Sequence, residues 1–291
     1  MSSETPSEPS LRIPAWLRAK LPDGGDYGAT AATLDRLRLH TVCQSAKCPN
    51  KWECFSRKVA TFLILGSECT RNCRFCNVTQ GTPSPVDPGE PERIAEAVGK
   101  FGLKHIVVTS VTRDDLPDGG SGHFAAVIRK MRQVHPECTV EVLIPDFQGS
   151  REALWCVLEA GPDILNHNVE TVPALYSEIR PQANYLQSLE LIRRVKEFPG
   201  RKILSKSGLM VGFGEDESAV QAVIRDLTAA HCDIVTIGQY MRPSKAHPPV
   251  KRYWPPEEFD RLADYGKSLG IPHMFCAPRV RSSYNAAMFA E

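Results

Sequence analysis

The sequence predicts an α/β fold, a partial (β/α)6 TIM-like barrel, with N-terminal and C-terminal extensions expected to cover the barrel mouth. Three observations predict the barrel itself. After residue 57, short apolar runs alternate with segments of helical apolar spacing, the pattern of repeated βα units over a parallel sheet. The runs are rich in Val, Ile and Leu on both faces, as strands covered by helices outside and filled inside require. The βα units number six, short of the eight of a closed barrel, so an open barrel is the simplest architecture.

Taken in order, the opening "MSSETPSEPS" is polar, acidic and proline-bearing, and residues 1–12 are expected to be a disordered tail. It has neither the apolar core of a secretory signal nor the arginine-rich character of a transit peptide. Residues 13–58 form an N-terminal extension and 59–270 the barrel. Strands are expected near Val59–Leu65, His105–Ser110, Thr139–Ile144, Asp163–Asn168, Ile203–Val211 and Asp233–Gln239. Helices are expected near Pro91–Phe101, Ser121–Val134, Arg151–Glu159, Tyr185–Phe198, Glu217–Ala230 and Pro256–Leu269. A short extended run, "IPHMFC", opens the C-terminal segment, 271–291. Polar groups gather after the strands, in "TSVTRDD", "NHNVET", "GFGED" and "GQYMRP", at the end where barrels carry their chemistry.

Of the 291 residues, Lys plus Arg (35) nearly balance Asp plus Glu (34), so no basic field points to nucleic acid. No apolar run approaches the roughly 20 residues that cross a bilayer, so no membrane association is expected. A cytoplasmic monomer is expected, and in a reducing compartment clustered thiols more often bind metal than form disulfides. One proline-rich segment, "RPSKAHPPVKRYWPP", carries Arg242, Lys245, Lys251 and Arg252 beside Tyr253 and Trp254; a solvated loop and a docking surface for an acidic partner both fit it.

Six of the ten cysteines fall between Cys43 and Cys76. Cys69, Cys73 and Cys76 have CxxxCxxC spacing directly after the first strand. Structural zinc wants four protein ligands, drawn as two close pairs; three thiolates on one short loop suit instead three corners of an iron-sulfur cubane, with the fourth iron open to a chelating ligand. Cys43, Cys48 and Cys54 have CxxxxCxxxxxC spacing upstream, and a second cluster with three cysteine ligands is the better reading of them.

With Phe75 before its last cysteine, the CxxxCxxC loop resembles that of the radical S-adenosylmethionine superfamily. The upstream triplet, "RSSY" at 281–284, "PAWLRAKLP", "TSVTRDDLPDGG", "HNVETV", "SGLMVGFGE" and "GQYMRPS" together resemble the lipoyl synthase family over nearly the whole chain. The resemblance implies two 4Fe-4S clusters, with S-adenosylmethionine on the open iron of the Cys69/Cys73/Cys76 cluster. It implies Ser283, with Ser282 as fallback, as the fourth ligand of an auxiliary cluster on Cys43, Cys48 and Cys54. It implies cofactor contacts from Ser110, Asn168, Glu170, Glu215 and Gln239, and backbone contacts at Thr70 and Asn72. The implied activity attaches sulfur at C6 and C8 of an octanoyl chain carried on a lipoyl carrier protein domain. One S-adenosylmethionine is consumed for each sulfur, the auxiliary cluster gives up the sulfur, and a reducing donor supplies electrons. Such chemistry opens C–H bonds that acids and bases of ordinary pKa cannot.

Two other readings compete: a radical enzyme that modifies a peptide or RNA, and an electron carrier. A carrier needs no barrel and no open cluster corner, while the first-triplet spacing and the terminal serines argue against the other enzyme. The remaining cysteines, Cys138, Cys156, Cys232 and Cys276, sit in apolar contexts and are expected to pack as small hydrophobes. No histidine pair is spaced for a metal, and Arg113, Asp114 and Asp115 are expected to cap or form salt bridges.

Overall fold

The structure is a computed structural model and describes residues 11–18 and 26–283. The tail expected over 1–12 lies almost wholly outside the described residues, as does Tyr284 of the RSSY segment.

A 3-10 turn at Ala15–Leu17 is followed by α1 (Tyr27–Arg36), β1 (His40–Thr41), α2 (Val42–Ser45) and α3 (Lys51–Ser56). The barrel begins at β2 (Thr61–Ile64), and the next loop contains two short paired strands, β3 (Glu68–Cys69) and β4 (Thr79–Gln80). Then α4 (Glu90–Phe101), β5 (His105–Ser110), α5 (Ser121–Val134), β6 (Thr139–Leu143), α6 (Arg151–Glu159) and β7 (Ile164–Asn166) alternate. They are followed by α7 (Tyr176–Ile179), α8 (Tyr185–Glu197), β8 (Leu204–Val211), α9 (Glu217–Ala229), β9 (Ile234–Gln239), α10 (Pro256–Ser268) and β10 (His273–Cys276).

The main sheet runs β1-β2-β5-β6-β7-β8-β9-β10, parallel throughout except for β1 against β2. This mostly parallel sheet with its helices fits a partial TIM barrel. The expected six βα units are present, and the run "IPHMFC" supplies a further parallel strand, with His273 to Cys276 registered on Ile234 to Ile237. A helix as long as α10 is a crossover, and a crossover returns the chain to a parallel position.

Strand residues alternate between two environments. Phe62, Ile64, Ile106, Val108, Val140, Val142 and Leu165 join helix residues such as Ile94, Phe124, Ile128 and Leu154 in one core. Residues of the opposite parity, Thr61, Leu63, Thr109, Leu143, Gly208, Met210, Thr236 and Gly238, line an interior cavity. Near its base the barrel holds a fully buried ion pair, Lys206 Nζ at 2.8 and 3.0 Å from the two Glu141 oxygens. Asn166 donates to Glu141 at 3.3 Å and His105 lies 3.7 Å away. Burial opposes ionisation of Glu141, but the Lys206 charge and its hydrogen bonds hold the carboxyl below its ordinary value.

Candidate functional site

The barrel interior opens into a cavity of about 310 Å³ whose wall includes Cys48, Cys69, Cys73, Cys76, Ser282 and Ser283. The second triplet lies on the loop after β2. There Cys69 Sγ accepts from the backbone N–H of Thr112 at 3.2 Å and of Arg71 at 3.5 Å, and Cys76 N–H donates to the Cys73 carbonyl at 2.9 Å. Arg71, between Cys69 and Cys73, donates to Asp114 at 2.6 and 2.8 Å and to Asp146 at 2.8 and 2.8 Å, which fixes the loop to the ends of two neighbouring strands. His247 Nε2 reaches the Cys76 carbonyl at 3.1 Å from the other side.

The first triplet lies on α2, the turn after it and α3. Cys43 is buried, and the Cys48 N–H donates to its carbonyl at 3.1 Å. Lys47 between them takes φ 50°, the turn that brings Cys48 back toward Cys43. Burial, then the neighbouring Cys48, pushes the Cys43 thiol up to about 11; burial, then Cys43 and Cys48, pushes Cys54 up to about 12. In the other group burial pushes Cys76 up to about 12 and raises Cys73, against the pull of Arg180. Crowded buried thiolates repel one another, and a bound cationic metal centre would relieve both penalties. Among the described residues no three His, Cys, Asp or Glu side chains are grouped as a single metal ion would need. A polynuclear cluster would take its thiolates at wider spacing than a single ion does.

The two cysteine loops touch: Asn77 Nδ2, one residue past Cys76, donates to the Ser45 carbonyl, two past Cys43, at 2.9 Å. The C-terminal strap, 277–283, completes the wall. Gly238 on β9 admits it, since a Cβ there would stand 2.0 Å from the Val280 carbonyl oxygen.

Of the expected cofactor contacts, Asn72, Ser110, Asn168 and Glu170 line the cavity. Glu170 holds φ 66° and pairs by backbone with Gly208 and Met210 at 2.9 Å each, a left-handed conformation costing on the order of 1 kcal/mol that aims its side chain inward. Burial raises its carboxyl pKa, although Arg180, Asn168 and Arg281 pull the other way. Ser110 Oγ, Asn168 Oδ1 and Arg180 Nε are buried on this wall without hydrogen-bond partners among the described residues, a set of polar groups that a bound cofactor would satisfy. Donor atoms and orphaned groups together fit a cluster with an organic co-ligand.

Other expected contacts are placed elsewhere. Thr70 Oγ1 donates to the Thr112 carbonyl at 3.0 Å and accepts from Asp114 N–H at 3.2 Å, tying two loops behind the wall. The Glu215 carboxylate accepts from the N–H groups of Gly212 and Phe213, folding its own loop. Gln239 donates to the carbonyls of Tyr240 and Arg252 at 3.2 and 3.0 Å and accepts from Trp254 N–H at 2.9 Å. None of these three lines the cavity. Cys43 and Cys54 stand behind Cys48, also off its wall. The basic segment is largely self-engaged: Arg252 pairs with Glu258 and lies over Trp254, and Arg242 donates to the carbonyls of Lys245 and His247. Arg242 folds the loop that braces Cys76, and both arginines remain exposed at the surface.

Two residues that the sequence did not single out, Arg71 and Arg180, line the site beside His167 and Arg281, which fall within the HNVETV and RSSY segments. Arg180 donates to the carbonyls of Asn168 and Val169 and to Tyr176 Oη at 3.0, 3.3 and 3.1 Å. His167 sits between the Ile144 carbonyl at 2.9 Å and Ser188 Oγ at 3.0 Å, and burial lowers it to about 4, so it is neutral. The position of Arg71 in the CxxxC spacer was the one available signal.

Comparison with known proteins agrees with this geometry. Residues 63–227 match the Radical SAM superfamily, and residues 3–48 match the N-terminal domain of lipoyl synthase of that family. The lipoyl synthase of Oleidesulfovibrio alaskensis is 60% identical over 100% of this chain and 99% of its own. That of Alkaliphilus metalliredigens is 52% identical over 96% of each. Among solved structures, SuiB of Streptococcus suis bound to S-adenosylmethionine superposes with TM-score 0.58 at 10% identity, covering 78% of this chain and 54% of that one. Methylornithine synthase (PylB) gives TM-score 0.51 at 14% identity over 88% and 84%. These two similarities concern the fold alone.

Proposed function

This chain belongs to the lipoyl synthase family of the radical S-adenosylmethionine superfamily, and on that premise we propose how its residues divide the work of sulfur insertion. The family makes it a sulfurtransferase that uses a 4Fe-4S cluster and S-adenosylmethionine on an octanoylated carrier protein. In our reading Cys69, Cys73 and Cys76 hold that cluster, and Cys43, Cys48, Cys54 and Ser283 hold an auxiliary one. When bound, the first cluster and S-adenosylmethionine supply a hydrogen-abstracting radical and the second supplies sulfur, one S-adenosylmethionine being used at each of C6 and C8.

The chain's own residues bind, orient and shield. Ser110, Asn168, Glu170, Arg180 and Asn72 surround the place for the sulfonium cofactor, and the unfilled hydrogen-bonding atoms of Ser110, Asn168 and Arg180 would give it a fixed pose. Leu63, Val111, Leu143, Ile144, Met210 and Tyr240 offer an octanoyl chain an apolar wall and keep water from reactive carbon. The choice of Ser283 over Ser282 is supported by Asn168, whose Nδ2 lies 3.3 Å from Ser282 Oγ and engages it. A serine oxygen is a harder partner for iron than thiolate, so the corner it holds is the easiest to dismantle.

One observation carries the reading: Cys48 of the first triplet, all three cysteines of the second and both serines open on a single cavity. The test is anaerobic reconstitution with iron and sulfide, then assay for 5′-deoxyadenosine and sulfur-bearing product with an octanoyl-lysine peptide. Deoxyadenosine with thiolated peptide is expected. Cofactor cleavage without sulfur on the peptide would overturn the division of labour.

A further inference from the structure

The strap that carries Ser282 and Ser283 is tied to the first cysteine triplet by a contact that involves no cysteine. Asn50, buried between Cys48 and Cys54, donates from Nδ2 to the Arg279 carbonyl at 2.8 Å. The Arg279 guanidinium returns the bond to Asn50 Oδ1 at 3.3 and 3.1 Å and reaches Glu53 Oε2 at 3.1 Å. On its other side the strap hangs from β9: Gln239 N–H donates to the Pro278 carbonyl at 3.2 Å and Ala277 N–H to that of Ile237 at 3.1 Å. Gly238 lets the Val280 carbonyl approach between these bonds.

We propose that Asn50, Arg279 and Glu53 form an iron-independent latch that seats the strap on the auxiliary cysteine loop, so that the serines are in place before any cluster is built. The three are positioning residues. The inference rests on the auxiliary-site reading for its purpose, but the latch itself is a contact of the iron-free chain. Reciprocal hydrogen bonds between Asn50 and Arg279 fix the register of the strap along the loop, which a lone ion pair at Glu53 would not. Glu53 adds charge from one turn of α3 away, on the helix that carries Cys54.

Hydrogen exchange on iron-free full-length protein tests this separately from activity. Arg279→Gln should speed exchange of the strap amides, 277–283, by about tenfold or more, the scale of losing charge-assisted hydrogen bonds, and leave β7 to β9 unchanged. Arg279→Lys, which keeps the charge toward Glu53 but loses the fork, should fall between. Ser283→Ala should leave strap exchange as in the parent, since no iron is present for it to hold. If Arg279→Gln also loosened β7 to β9, Asn50→Ser would decide on the same readout. Unchanged strap protection in whichever variant keeps its barrel would overturn the latch, whatever happens to the auxiliary-cluster reading. A Ser283→Ala strap that opened as readily as Arg279→Gln would overturn it as well.

Discussion

Arg71 shows how much one side chain can fix. Its two carboxylate partners lie 43 and 75 positions away, on loops after β5 and β6. Burial opposes the Asp146 charge, but the hydrogen bonds and charge of Arg71 outweigh it and hold the carboxyl below its ordinary value. Asp146→Ala would leave a buried guanidinium half paired, and chemical denaturation should show a loss of about 3 kcal/mol or more. Because the folded Asp146 value lies below the unfolded one, the pair contributes fully above about pH 4 and its contribution fades as pH falls through the lowered value. Stability measured against pH should lose that part of its acid limb in Asp146→Asn. At Ser283, alanine should leave deoxyadenosine formation more nearly intact than sulfur insertion, whereas Ser282→Ala should disturb the wall at Asn168 first; equal lipoyl formation by Ser283→Ala and parent protein would remove that serine from the mechanism. The cysteines were legible because thiolate chemistry declares itself in spacing. Arg71 and Arg180 were not, because a cation's meaning depends on partners that only the folded chain supplies.

At the level of elements, periodicity carried nearly everything within the barrel. Helices α5 and α6 and strand β5 start and stop where residue pattern places them, with Ser150 accepting from Ala153 N–H at 3.1 Å as the cap of α6. Less legible were the surroundings of polar strand-end residues: Glu215 and Gln239 sit where barrel chemistry is usually found, and in the structure their hydrogen bonds go to local backbone. The same residue types serve turn-making and ligand binding, and pattern does not separate the two. The ion pair between β6 and β8 gives an element-level expectation. Lys206→Met should cost about 3–5 kcal/mol by stranding Glu141, and Lys206→Met with Glu141→Leu should recover much of it, as thermal or urea melts of both would reveal. On β9, Gly238→Ala would drive a methyl into Val280, so strap exchange should rise while the barrel strands stay protected.

For the whole molecule, the consequential fact is that two cysteine-bearing loops and the 277–283 segment share one enclosure. Replacing Cys43, Cys48 and Cys54 together by Ala should about halve the iron retained after reconstitution and spare deoxyadenosine formation, while the Cys69, Cys73 and Cys76 triple variant should abolish it. Retention of full iron by either variant would refute a two-cluster protein. The sequence leads us to expect extensions over the barrel mouth but not the contacts that hold them; Asn77 to Ser45 and Arg279 to Asn50 join residues whose neighbours in sequence give no hint of one another.

The Asn50 and Arg279 pairing spans 229 positions, which sets a timetable for biosynthesis. A ribosome adding about 5–20 residues per second exposes the early cysteines on the order of tens of seconds before their companion segment emerges. Until then the loop of Cys43, Cys48 and Cys54 stands without its Arg279 contact, while the Arg71 contacts of the neighbouring loop need only residues up to Asp146 and can form much sooner.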